Sequence, residues 1–159
     1  MNLHQINSRM ELKIPPAVVT LLAGGGMWAI ERYLEWSGVL FEAPLWLGIC
    51  FLASGMLFGL FGLIQFYKAY TSVDPHKPGK ASSLVKDGIY RISRNPMYVG
   101  LLLILLAYGI YLGNLLSLAI LPLFVMYLNR FQILPEEQVL KRKFGADYER
   151  YKSQVRRWI

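Results

Sequence analysis

Between Ala43 and Tyr67 the chain carries no charged side chain, and the same holds from Met97 to Leu128. Runs of this length and apolarity place the chain among integral membrane proteins, since about 20 apolar residues suffice for a helix to cross a bilayer. Composition agrees: 55% of residues are apolar and 14% aromatic, and the 17% that are charged fall in separate segments. A net charge of +7 would suggest nucleic acid as the partner of a soluble protein. Here Lys and Arg flank the apolar runs, so anionic headgroups and membrane orientation account for them, and no nucleic-acid partner is expected. Cys50 is the single cysteine and sits inside a run, which removes a disulfide framework and a cysteine-based metal site.

The pattern predicts an all-α integral membrane bundle, one domain over residues 1–159, with four transmembrane helices and a C-terminal amphipathic helix. The first span covers about 14–34, enters through Pro15-Pro16 and carries Gly24-Gly25-Gly26. Residues before it are polar with Arg9 and Lys13, and the span reads as a retained anchor. The second span, about 43–67, carries Gly48, Gly55, Gly59 and Gly62, with a GxxxG pair at Gly55 and Gly59 that marks a helix-packing face. The block from Met97 is too long for one ordinary span and short for two. Gly113-Asn114 is a turn signal, so spans of 96–112 and 115–130 are expected as a tight hairpin, with Pro122 a candidate kink. Leu140, Phe144, Tyr148, Tyr151, Val155 and Trp158 recur at helical spacing, predicting an interfacial helix over 135–158 with a break at Gly145.

Charge sets the orientation. Glu31, Arg32, Glu35 and Glu42 make the first connection net negative, whereas the loop of 71–95 and the tail are basic. Positive-inside then puts both termini and the long loop in the cytoplasm of a bacterial or archaeal inner membrane.

Several chemistries are excluded. Gly79-Lys80 lacks the first glycine and the Ser or Thr of a phosphate loop, since Asp74 and Ala81 occupy those places. His4 and His76 stand apart from any carboxylate cluster, so no metal site is expected. No ionisable side chain lies mid-span, which argues against an ion-coupled transporter. Two polar groups remain: Tyr90, Arg94, Asn95 and Tyr98 on the loop, and Asn129, Arg130, Gln132, Glu136 and Glu137 at the hairpin exit. A hairpin returns to the face it left, so these groups are expected to be neighbours. Paired carboxylates beside an Arg suit an ammonium, ribose hydroxyls or an adenine amino group. On spacing alone, plain helix capping after Pro135 is the slightly favoured account of Glu136-Glu137.

Taken together, Leu84-Val85-x-x-Gly88-x-Tyr90-x-x-x-Arg94-Asn95-Pro96-x-Tyr98-x-Gly100, then Glu136-Glu137, then Phe144-Gly145-x-x-Tyr148-x-x-Tyr151, resemble the isoprenylcysteine carboxyl methyltransferase family, itself similar to the membrane phospholipid methyltransferases. The resemblance covers about Ser82 to Val155. It implies a membrane-embedded enzyme that uses S-adenosyl-L-methionine without a Rossmann domain. Carried over residue by residue, it implies cofactor contacts at Ser82, Leu84, Val85, Tyr90, Arg94, Asn95, Pro96, Met97, Tyr98 and Glu136. Ser82 and Asn95 stand where eukaryotic members have His. Gln132 stands where an Arg meets the substrate carboxylate, and Arg130, one turn away at most, is the candidate replacement.

The reading is therefore a methyltransferase acting on a lipophilic substrate, a carboxylate or thiol of an isoprenoid-like or other small lipid. Arg130 and Glu137 are its expected catalytic residues and Arg130 and Gln132 its substrate contacts, with membrane lipids as partners. The alternatives are a phospholipid amine methyltransferase, with Glu137 as the base, and a non-catalytic membrane scaffold or transporter.

Overall fold

Pro15 and Pro16 open the first helix, where a missing N–H costs nothing and a fixed φ helps. In the computed structural model, which describes residues 14–34, 40–68 and 83–159, this helix is α1, Pro16–Tyr33. It is followed by α2, Leu45–Lys68, and a 3₁₀ turn at Gly88–Arg91. Then come α3, Pro96–Leu112, α4, Leu115–Leu118, and α5, Ile120–Leu128. A π-turn at Asn129–Ile133 leads without a break into α6, Leu134–Gln154. The described residues are thus all-helical in architecture.

The glycine face of α2 packs on α3. A Cβ on Gly55 would lie 2.7 Å from the Gly100 carbonyl oxygen, and one on Gly100 would lie 2.7 Å from that of Gly55. Only glycines let two backbones approach this closely. Gly48 faces Ala107, and Gly62 faces Met97 and Pro96, so the small-residue face runs along the helix. Beyond α3, Gly113 adopts φ 65° and its N–H reaches the Gly109 and Ile110 carbonyls, a left-handed cap that a side chain would strain. Asn114 then accepts from the Leu116 N–H at 2.9 Å and starts α4. The expected turn is in place. Phe41 donates its N–H to the Gly113 carbonyl at 2.8 Å, which pins the entry to α2 at this end of the bundle.

Two prolines shape the return. Pro122 has no N–H for the Leu118 carbonyl, and the helix is interrupted at Ala119, three residues earlier. Pro135 likewise cannot serve the Phe131 carbonyl, and the backbone widens into the π-turn just before it, Leu134 donating instead to Asn129. The expected break at Gly145 is present, with φ 50° and ψ −120°. The expected helix to residue 158 is not. It ends at Gln154, Val155 is extended, and Val155–Ile159 turns back across the loop, so Trp158 does not share the stripe of Tyr148 and Tyr151.

Met27, Tyr98, Leu105, Phe124, Leu128 and Ile133 form the main core. Leu45, Trp46, Met56, Leu60, Leu123 and Met126 face outward, whereas Asn114, Ser117 and Gln132 are fully buried. An apolar exterior over polar buried groups reverses the pattern of a protein folded in water and suits a lipid surround. Among the described residues, two helical stretches are long and apolar enough to cross a membrane, Leu45–Lys68 and Leu115–Gln154. α3 is a shorter apolar helix of 17 residues.

Candidate active site

Three stretches converge at the end of the bundle opposite Gly113: the loop entering α3, the π-turn with the head of α6, and Val155–Ile159. The loop is held by aromatic packing. Leu84 and Val85 lie against a buried cluster of Tyr90, Tyr148 and Tyr151, joined by Phe66 and Phe144. The Tyr90 ring meets Phe66 edge-on at 5.5 Å, and the Tyr151 hydroxyl donates to the Tyr90 carbonyl at 2.7 Å. α6 therefore lies over the loop.

Pro96 at the first position of α3 sets Tyr98 one turn in, buried and facing α6. The Tyr98 hydroxyl donates to Glu136 Oε1 at 2.6 Å. Burial pushes the Glu136 carboxyl up to about 7, against the opposing pull of the Tyr98 hydrogen bond, and the Glu137 charge adds to the rise. Near neutral pH this carboxyl can both hold and release a proton. The buried Tyr90 hydroxyl has no protein partner. Its pKa is raised, first by burial, then by Tyr151 and by Glu136, whose charge it feels.

Glu137 has a different environment. Arg157 grips it with two prongs, Nε to Oε1 at 3.0 Å and Nη2 to Oε2 at 2.7 Å. Arg94 Nη2 lies 3.2 Å from Oε1, with the Arg94 and Glu137 side chains 9% and 11% exposed. Both carboxylate oxygens are thus engaged by guanidinium groups. The helix-capping account of the pair does not hold, because Leu128, Ile133 and Leu134 are all in the right-handed helical region and no helix end exists there to cap.

The remaining expected residues divide. Asn95 donates its amide to the Arg157 carbonyl at 2.9 Å, and Ser93 Oγ to the same oxygen at 3.3 Å. Met97 packs against Gly62 of α2. Arg130 is half-buried, its guanidinium 5.6 Å from the centre of the Phe131 ring. Gln132 is fully buried and donates to the Ile14 carbonyl at 2.7 Å, tying the π-turn to the start of α1, while its Oε1 has no partner. Ser82 lies outside the described residues. Arg157 and Trp158 were not expected in the site. The sequence showed them only as part of a basic, aromatic tail, and no spacing signal sets them apart.

Tyr90 Oη and Arg94 Nε are buried and unpartnered. Beside the Glu136 carboxylate they offer donors for an anionic group and an acceptor for hydroxyls or an ammonium. Residues 43–147 match the phospholipid methyltransferase family. The chain belongs to that family. A Schizosaccharomyces pombe Protein-S-isoprenylcysteine O-methyltransferase is 31% identical over 105 residues, 66% of this chain but 44% of the yeast protein. An uncharacterised Haemophilus influenzae protein is 51% identical over 63 residues, 40% of this chain and all of that protein. No solved structure gives a significant match. Phospholipid methyltransferase membership places the chain among membrane methyltransferases. The matched region takes in the loop, α3 and both glutamates and ends at Asp147, short of Val155–Ile159.

Proposed function

We propose that the protein transfers a methyl group from S-adenosylmethionine to a lipophilic acceptor at the cytoplasmic face of a membrane. The observation that carries this reading is the Tyr98–Glu136 hydrogen bond at 2.6 Å between α3 and α6, next to a loop whose Tyr90 Oη and Arg94 Nε are buried without partners. Glu136 would accept from the ammonium or ribose hydroxyls of the cofactor, and Tyr90 and Arg94 would donate to its carboxylate. Leu84, Val85 and Met97 would wall the pocket and keep water out. The bound cofactor supplies a methyl group already activated by its sulfonium. The chain's own task is then chiefly to align the two reactants.

An apolar cavity of about 740 Å³ between α1, α2 and α3, lined by Trp28, Leu52, Leu105 and Tyr108 among others, supports a lipophilic acceptor. It begins roughly 10 Å along α3 from Tyr98, at 1.5 Å per residue. Arg130 is the candidate for an acidic group on the acceptor. Gln132 gives one amide hydrogen to the Ile14 carbonyl, and its oxygen is without a partner. The proton acceptor is Glu136 rather than Glu137, which is held by two arginines.

The Glu136 carboxyl at about 7 also supports a second reading, a phospholipid amine as acceptor. A carboxylate acceptor has no proton to lose, whereas an ammonium must give one up before it can be methylated. Four spans with both termini in the cytoplasm complete the proposal. α1 and α3, at 18 and 17 residues, reach about 26–27 Å at 1.5 Å per residue, close to the ~30 Å hydrocarbon core.

The test is titration of S-adenosylhomocysteine into purified wild-type protein and Glu136→Gln. Loss of a charge-assisted hydrogen bond costs about 1.5–3 kcal/mol, so the variant should bind roughly ten- to hundredfold more weakly. No saturable binding by the wild type defeats the proposal. Methyl labelling of extracted lipids then assigns the acceptor by whether the label sits on an ester, a thioether or an amine.

A further inference from the structure

Residues 155–159 touch all the parts on which the site depends. Val155 leaves α6 in an extended conformation, φ −124° and ψ 134°. Arg94 then donates its N–H to the Arg156 carbonyl at 3.0 Å. The next carbonyl, of Arg157, receives both Ser93 Oγ and the Asn95 amide. The Arg157 side chain turns the other way and grips Glu137. Trp158 donates its indole N–H to Asn129 Oδ1 in the π-turn at 3.1 Å and packs its ring on the main core. One short segment thus joins the loop that precedes Tyr98, the turn that precedes Glu136, and Glu137 itself.

We infer that Arg157 and Trp158 are positioning residues of the methyl-transfer site, a strap that fixes the Tyr98 wall against the Glu136 wall. The inference rests on the proposed function and adds to it a segment outside the family match. The geometry explains why the strap is needed. Tyr98 and Glu136 lie 38 residues apart on different helices and meet through a single hydrogen bond. That bond forms only if α3 and the head of α6 hold their separation, and the π-turn between Leu128 and Leu134 is the irregular part of the helix that leads to Glu136. Trp158 braces the π-turn, the Arg157 side chain braces α6, and the carbonyls of Arg156 and Arg157 hold the loop. Glu137 is then the anchor that the strap grips, which accounts for a buried carboxylate shared by two arginines next to one that is not.

The strap is tested with Arg157→Met, Trp158→Phe and a chain ending at Gln154, each titrated with S-adenosylhomocysteine well below its melting temperature. Trp158→Phe keeps an aromatic ring in the core and removes only the donor to Asn129. Each point variant should bind about tenfold more weakly and the shortened chain at least as weakly. In turnover the effect should fall on the KM for S-adenosylmethionine more than on kcat. A merely structural segment would lower the melting temperature and leave the affinity of the folded protein unchanged. That result overturns the inference while leaving the proposed function standing. Absence of binding by the wild type overturns both.

Discussion

Tyr98→Phe isolates one hydrogen bond at the centre of the site. Phe fills nearly the same buried volume, so α3 packing is kept and only the donor 2.6 Å from Glu136 Oε1 is lost. A hydrogen bond to a charged group is worth about 1.5–3 kcal/mol. Because the bond favours the ionised carboxylate and opposes the upward push of burial, its loss must raise the Glu136 pKa. At 1.36 kcal/mol per unit the rise is roughly one to two units, from about 7 to about 8–9. At pH 7 the ionised fraction would fall from about a half to between a tenth and a hundredth, a loss of roughly 5- to 50-fold in any step that needs the carboxylate. The assay is S-adenosylhomocysteine affinity and methyl-transfer rate in nanodiscs from about pH 5.5 to about pH 9.5, a range that brackets both midpoints. Both should rise with pH through a midpoint near 7 in the wild type, and through a higher midpoint in Tyr98→Phe. Stability should run the other way. A carboxyl raised from 4.5 to about 7 contributes stability fully present below 4.5 and lost as pH rises through 7. The wild-type melting temperature should therefore fall across that window, and that of Glu136→Gln should not. A Tyr98→Phe midpoint that is unmoved or lower would refute the reasoning.

Gly55→Ala should destabilise the protein by about 1–3 kcal/mol through overpacking, since its new Cβ would stand 2.7 Å from the Gly100 carbonyl oxygen. Gly59→Ala, with nothing within 4 Å of the added carbon, should unfold in detergent near the wild-type temperature; equal losses would exclude the packing described. For topology, a reporter fused at residue 40 should sit outside and one after Ile159 inside; swapped signals would exclude the proposed orientation, and signals on the same side would exclude the four-span arrangement.

Much of the fold was legible because bilayer solvation and turn chemistry act locally. Pro96, Gly113 and Asn114 fixed both ends of α3 to the residue. The glycine spacing of α2 revealed a packing face, though not that Gly100 would receive it. Gly145 announced its kink. The tail was misread because Val155 and Trp158 continue a helical stripe, and periodicity cannot register that a chain leaves its helix to satisfy donors elsewhere. Ser93, Arg94 and Asn95 are those donors, more than 60 residues away.

The two glutamates show where sequence reasoning stops. Glu136 and Glu137 are the same residue type at adjacent positions, and their order alone gives no reason to assign them different chemistry. On a helix of 3.6 residues per turn, neighbours point about 100° apart, so each must meet a different part of the molecule. Which part is decided by α3 on one side and the strap on the other. Glu136 meets a phenol, a neutral donor that leaves most of the burial penalty in place, and its carboxyl titrates near neutrality. Glu137 meets two guanidinium groups, which occupy both of its oxygens and fix it as an ionic anchor. Exchanging those surroundings would exchange the roles without altering either glutamate. The proposal that acid–base work falls to Glu136 therefore rests on the tertiary structure, even though the presence of an acidic pair at the head of α6 belongs to the sequence.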